Sequence, residues 1–182
     1  GQLDAFVANN FGENRVYLGN GSAGFDSGSN ASMETNQSLD VALGDLDADG
    51  KLDAFVANLG QKNRVYIGDG NGGFAHVDDA SSSAMQSETA ALADLDGDGN
   101  LDAFVPNLGQ KNQVYLGDGA GGFGSVDDAS LDTEDSQDAA LGDFDGDGHL
   151  DGFVTNRDQQ NRIYLGDGSG GFGVGADASS GT

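Results

Sequence analysis

The sequence predicts an all-β fold, a β-propeller of four-stranded antiparallel blades packed radially about a common axis. Three observations predict it. A near-identical phrase opens at Leu3, Leu52, Leu101 and Leu150 (LDAFVANN, LDAFVANL, LDAFVPNL, LDGFVTNR), spaced by 49 residues each time. A period of that size marks one structural unit copied along the chain, whose apolar faces are buried by its neighbours. No stretch carries the i, i+3, i+4 spacing of an amphipathic helix, and turn signals punctuate short apolar runs throughout.

The elements of one repeat follow in order along residues 39–78. LDVALG (39–44) is a short apolar run rich in small residues, followed by the acidic DLDADGKLD (45–53). AFVAN (54–58) is the second run; Phe55 and Val56 are both apolar although alternation sends them to opposite faces, so this sheet is covered on both sides. The polar link LGQKN leads to a third run, RVYIG (64–68), and the turn DGNGG (69–73) leads to a fourth beginning at Phe74. Small residues recur at matching places in the first strand: Ala42 and Gly44, Ala91 and Ala93, Ala140 and Gly142. They suit strands crowded around an axis, which favours a propeller over a β-solenoid. The blades divide as 1–32, 33–82, 83–131 and 132–182, the last including a C-terminal tail. Gly1 and Asp4 align with Gly50 and Asp53, so the first blade lacks its inner strand; flanking sequence or a neighbouring chain is expected to complete it.

Composition bounds the function. The 182 residues carry a net charge of −24, which argues against a nucleic-acid partner and would repel an anionic membrane surface. No apolar run reaches the length that spans a bilayer. There are no cysteines, hence no disulfide, thiolate nucleophile or Cys-based zinc site.

Three loops share the pattern D-x-D-x-D-G-x-x-D: Asp45, Asp47, Asp49 and Asp53; Asp94, Asp96, Asp98 and Asp102; Asp143, Asp145, Asp147 and Asp151. Four carboxylates within nine residues repel strongly unless a cation sits among them. Gly50, Gly99 and Gly148 permit a sharp turn after the third acid. Oxygen-only ligands on a flexible loop suit Ca²⁺ better than Mg²⁺ or zinc. A backbone carbonyl at the seventh position (Lys51, Asn100 or His149) is expected to add a ligand, leaving the His149 ring a bystander. An EF-hand is excluded, because its twelfth position needs a bidentate Glu and holds Val56, Val105 and Val154 here. Asp4 is the remnant of a fourth loop, a site only if the rest of that loop is supplied.

With these loops, the F-V-x-N strand and the closing G-D-G-x-G-G-F, the chain resembles FG-GAP or VCBS repeats, as in the integrin α-subunit propeller head. The resemblance implies calcium in the hairpins joining the first and second strands of a blade, on the face opposite the usual ligand surface, with the twelve loop aspartates as ligands. The chain departs from that pattern in having four repeats, one incomplete, where integrin heads have seven.

Other signals are weaker. GDGNGG (68–73) and its counterparts match G-x-G-x-x-G, but Phe25, Phe74, Phe123 and Phe172 follow directly and start a strand rather than a helix, so these are hairpin turns. No G-x-S-x-G or H-E-x-x-H motif is present, and the only histidines are His76 and His149, so no enzyme activity is expected. Arg15, Lys62, Arg64, Lys111, Arg157 and Arg162 all fall between the second and third strands or at the start of the third. They form a surface for an acidic glycan or protein partner, or Arg15, Arg64 and Arg162 pair with nearby acids between blades. The sequons at Asn20, Asn30 and Asn36 are what chance supplies in a chain so rich in Asn and Ser. The expectation is an extracellular, calcium-stabilised binding or adhesion module that recognises a protein or glycan through the face opposite the calcium hairpins. The alternatives are a building block of an extracellular filament or surface layer, or a non-catalytic part of a larger secreted polysaccharide-active enzyme.

Overall fold

The structure, a computed structural model, describes residues 3–26, 28–31, 34–124, 127–129 and 133–178. The proposed boundaries at 32/33 and 131/132, Gly1 and the last four residues of the tail lie outside the described residues. The fold is all-β, with antiparallel strands in four successive sheets. The first holds β1 (Ala5–Val7), β2 (Arg15–Tyr17) and β3 (Ser29–Asn30), in that order. The second holds β4 (Ser38–Gly44), β5 (Asp53–Gln61), β6 (Arg64–Gly68) and β7 (Phe74–Asp79), with β8 (Met85–Gln86) paired to β5. The third runs β9 (Ala91–Ala93), β10 (Asp102–Val105), β11 (Gln113–Tyr115), β12 (Asp127–Asp128). The fourth runs β13 (Ser136–Gly142), β14 (Asp151–Asn156), β15 (Arg162–Gly166), β16 (Phe172–Asp177). The second and fourth sheets share one register, with Ala42 opposite Phe55 and Ala140 opposite Phe153.

The second and third sheets are covered on both faces by their neighbours, as apolar residues on both strand faces require. Phe55 joins Tyr115 and Val105 of the third sheet in one buried cluster, whereas Val56 and Tyr66 face the other way and meet Phe6 of the first sheet. Every seam carries the same edge-to-face aromatic pair: Phe6 with Phe74, Phe55 with Phe123, Phe104 with Phe172, each with ring centroids 5.2 Å apart. Such a pair adds about 0.5–1.5 kcal/mol to the burial of its rings. The small residues of the inner strands have a local cause. A Cβ at Gly44 would come 2.6 Å from Leu101 Cδ1 and 3.2 Å from Leu92 Cδ1, both from the following sheet.

A buried polar ladder crosses the seams. Asn14 Nδ2 donates to Ser38 Oγ, which donates to Asn58 Oδ1; the Asn58 backbone N–H donates to Asn63 Oδ1. Asn63 Nδ2 then donates to Ser87 Oγ, which donates to Asn107 Oδ1, and the Asn107 N–H donates to Asn112 Oδ1. Because these groups are buried, each needs its partner, and the chain of bonds fixes how one sheet sits on the next.

The structure departs locally from the sequence expectation in two places. The second strand of the second blade runs on to Gln61, because Leu59 and Gln61 pair with Gln86 and Met85 of the segment leading to the next sheet. Equivalent bridges join Asn10 to Gln37 and Leu108 to Asp135, so the polar links stitch sheets together. The fourth run begins a strand at Phe74 and Phe172, but Phe25 and Phe123 make only isolated bridges to Gly19 and Gly117. Among the described residues no helix is long and apolar enough to cross a membrane.

Candidate metal centre

The acidic loops join the first and second strands of the second, third and fourth sheets. Their backbone turns through left-handed conformations at two positions. The sixth residues Gly50, Gly99 and Gly148 have φ of 84°, 91° and 94°, and the fourth residues Ala48, Gly97 and Gly146 have 59°, 79° and 84°. Glycine adopts these angles freely; Ala48 does so against the clash of its Cβ.

Local hydrogen bonds aim the carboxylates. Asp45 accepts from the N–H groups of Asp49 (3.0 Å) and Gly50 (2.9 Å). Asp94 and Asp143 are held in the same way by Gly97 and Gly99, and by Gly146 and Gly148. The ninth-position aspartates Asp53, Asp102 and Asp151 are fully buried. Asp53 Oδ2 accepts from the Leu46 N–H at 2.7 Å and Oδ1 from the Gly68 N–H at 2.8 Å, tying the loop to the end of the third strand. Asp102 and Asp151 repeat both bonds. Asp4 keeps one of the two, to the Gly19 N–H at 2.8 Å.

The first, third and ninth aspartates converge. In each of the groups Asp45/Asp47/Asp53, Asp94/Asp96/Asp102 and Asp143/Asp145/Asp151, one carboxylate oxygen per residue lies within 4.8 Å of the others. The fifth-position carboxylates stand apart from these groups and accept from the seventh residue's N–H: Asp49 from Lys51, Asp98 from Asn100, Asp147 from His149. Asp49 is also paired with the Lys51 ammonium. The side chains of Lys51, Asn100 and His149 lie over Gly70, Gly119 and Gly168 of the hairpin between the third and fourth strands, where a Cβ would collide with them. Asp4 lies outside the three groups.

The charge crowding is visible in protonation. Desolvation pushes the Asp47 carboxyl above its ordinary value, and the Asp53, Asp49 and Asp45 carboxylates push the same way, against the Asp49 N–H. Burial raises Asp102, helped by Asp96 and Asp98, although N–H groups of Gly117 and Leu95 pull it down. Asp49, bonded to Lys51, is lowered instead. Three oxygen donors on a pre-turned loop, with no nitrogen or sulfur among them, fit a hard divalent cation and are compatible with calcium.

Sequence reasoning treated Asp69, Asp118 and Asp167 as turn residues only. Each caps its turn, accepting N–H bonds two and four residues on, as Asp69 does from Asn71 (2.7 Å) and Gly73 (2.9 Å). The signal is the 49-residue recurrence of Asp before Gly. Arg64 pairs with Glu34 and Asp79, and Arg162 with Glu134 and Asp177; these acids belong to the arginine's own blade, so the pairs lie within blades and not, as expected, between them. Lys62 and Lys111 pair with Asp79 and Asp128.

Among solved structures, a lectin from Agrocybe aegerita, described for its specific recognition of non-reducing terminal N-acetylglucosamine, superposes with a TM-score of 0.60 at 23% identity. The match covers 94% of this chain but 47% of the lectin, so the chain spans about half the lectin's length. At that identity the likeness shows the fold. No curated protein matches the sequence. The model of the FG-GAP-like repeat matches three times, over residues 1–56, 45–105 and 94–154, and each match after the first begins at the first aspartate of an acidic loop. With its loops, seams and sheets repeating at the same interval, the chain belongs to the FG-GAP-like repeat family.

Proposed function

We propose that the protein is a calcium-stabilised extracellular binding module that recognises a glycan or protein and carries out no catalysis. One observation carries the reading: three carboxylate triads converge at the same place in three successive repeats. Metal-free, each triad is a repulsive cluster at the root of a hairpin. A cation there cancels part of the charge and locks the loop against the third strand through Asp53, Asp102 or Asp151. Calcium is then a structural ion, and Asp45, Asp47 and Asp53 with their counterparts are its side-chain ligands. Asp49, Asp98 and Asp147 shape the loop or join as ligands when it is loaded, and the backbone carbonyls of Lys51, Asn100 and His149 complete the set.

The fold is shared with a lectin specific for terminal N-acetylglucosamine, which favours a glycan partner. The face opposite the calcium hairpins carries the ion-paired arginines and the polar links, and is the surface we assign to that partner. Calorimetric titration of chelator-treated protein tests the metal part, with three calcium ions bound per chain and a melting temperature that falls in excess EGTA. An unchanged melt and no calcium heat would remove it. A glycan array read with and without calcium tests the partner.

A further inference from the structure

We propose that the three acidic loops load calcium cooperatively, each occupied loop raising the affinity of its neighbour through a hairpin turn of the following sheet. This coupling presupposes the calcium reading above and adds to it a physical link from loop to loop.

The link starts at Leu46, a buried residue between the ligands Asp45 and Asp47. Its N–H donates to Asp53 Oδ2 at 2.7 Å, and its carbonyl accepts from the Gly121 N–H at 3.0 Å. Gly121 belongs to the turn 118–122 of the third sheet, so one residue joins the first loop's ninth aspartate to the neighbouring sheet. The approach is close. A Cβ at Gly121 would stand 2.7 Å from Ile67 Cδ1 and 3.8 Å from the Cβ of Asp47, and its φ of 81° suits glycine. Directly after the turn, Phe123 packs edge-to-face on Phe55 of the second sheet.

The same turn touches the second loop. Asp118 caps it through the N–H groups of Ala120 (2.8 Å) and Gly122 (2.9 Å). Asn100, seventh in the second loop, lies over Gly119, where a Cβ would stand 2.3 Å from its Oδ1. Asn100 Nδ2 in turn donates to Asp98 Oδ2 at 2.8 Å. One side of the turn therefore rests on the first loop and the other on the second. The next seam repeats the arrangement. The Leu95 N–H donates to Asp102 Oδ2 at 2.7 Å, the Leu95 carbonyl accepts from the Gly170 N–H at 3.2 Å, and His149 of the third loop lies over Gly168.

The sign of the coupling follows from ordering. An ion among Asp45, Asp47 and Asp53 fixes Leu46 between its ligands, and with it the carbonyl that seats the turn. A seated turn holds Asn100 and Asp98, so the second loop gives up less conformational freedom when its own ion binds. Linkage makes the effect reciprocal. Charge acts the other way, since each bound ion leaves the chain less negative, but physiological salt screens that field over about 8 Å. The contacts run from one sheet to the next, so the first and third loops communicate through the second.

Calcium titration of the chelator-treated full chain at physiological salt, followed by NMR, tests the coupling. The amides of Gly50, Gly99 and Gly148 each donate to the first aspartate of their loop and report its loading separately. Asp47→Asn, which weakens the first loop, should raise the calcium midpoint of the second by about fivefold or more, and Asp96→Asn should do the same to the first and third. Gly121→Ala should free the second loop from the first while leaving the third dependent on the second. Hydrogen exchange at the Gly121 amide should slow on adding calcium to the parent but not to Asp47→Asn, whereas the Gly170 amide should slow in both. If Gly121→Ala does not fold, this exchange pattern decides the route. Independent midpoints, or a neighbour that binds tighter when a loop is weakened, would overturn the coupling and leave the calcium reading standing. No calcium-dependent shift at any of the three glycines would overturn both.

Discussion

Replacing Asp53 by Asn separates the two jobs the ninth aspartate holds. Its carboxylate is fully buried, and each oxygen accepts a different backbone N–H, from Leu46 at 2.7 Å and Gly68 at 2.8 Å. An amide of the same shape can accept only one of these; its NH₂ then faces the other donor. One orphaned buried N–H costs about 1–3 kcal/mol, and loss of a charged acceptor for the second bond brings the total to roughly 2–4 kcal/mol. At about 2–4 °C per kcal/mol for a chain of this size, the melting temperature should fall by roughly 5–15 °C. Measured in excess EGTA, the drop owes nothing to calcium. Asp47→Asn in the same buffer should leave the melt unchanged or raise it, because Asp47 is pushed up by desolvation and by the carboxylates around it. In calcium both variants should lose part of the metal-dependent rise. Equal melting of Asp53→Asn, Asp47→Asn and the parent in EGTA would refute the view that the ninth aspartate clamps the hairpin without metal.

Four further outcomes are expected. Ala48→Gly should stabilise the protein by about 0.5–1 kcal/mol in thermal melts, since Ala48 sits at φ 59° where the other two loops have glycine. Gly68→Ala should cost about 3 kcal/mol or more in denaturant unfolding, because the new Cβ would overlap the Leu52 carbonyl oxygen. Asn63→Ala removes the acceptor for the Asn58 N–H and the donor to Ser87 in the buried ladder, and should cost about 2–4 kcal/mol by the same measurement. Asp47 and Asp102 are raised in the folded state, so the folded form holds more protons between the ordinary value of 3.8 and the raised one. Their contribution to metal-free stability is therefore lost as pH rises through that window. Protons compete for the same oxygens, so calcium titrations at pH 5 should show weaker binding than at pH 7.

Much of this was legible in one dimension. The 49-residue spacing, the D-x-D-x-D-G-x-x-D loops and the apolar character of both Phe55 and Val56 marked repeated sheets covered on both sides, with hairpins rich in oxygen ligands. Those features are local or periodic, and they follow from strand alternation and from what neighbouring carboxylates do to one another. Asn14, Asn63 and Asn112 also recur at the same interval, but nothing in their spacing says that they are buried or that Asn14 and Asn63 each reach a serine in the next sheet. Nor could spacing divide the four acids of a loop into three that converge and one that caps the seventh residue.

The sequence by itself determined the unit, its strands and its chemistry, because a repeat and a turn are decided by residues close together along the chain. Only the tertiary structure decided what each sheet does for the next: the aromatic pair at every seam, the leucines over Gly44, and the buried Asn–Ser ladder. Those outcomes depend on which residues distant in sequence come within a few ångströms, and on which buried polar groups then find partners.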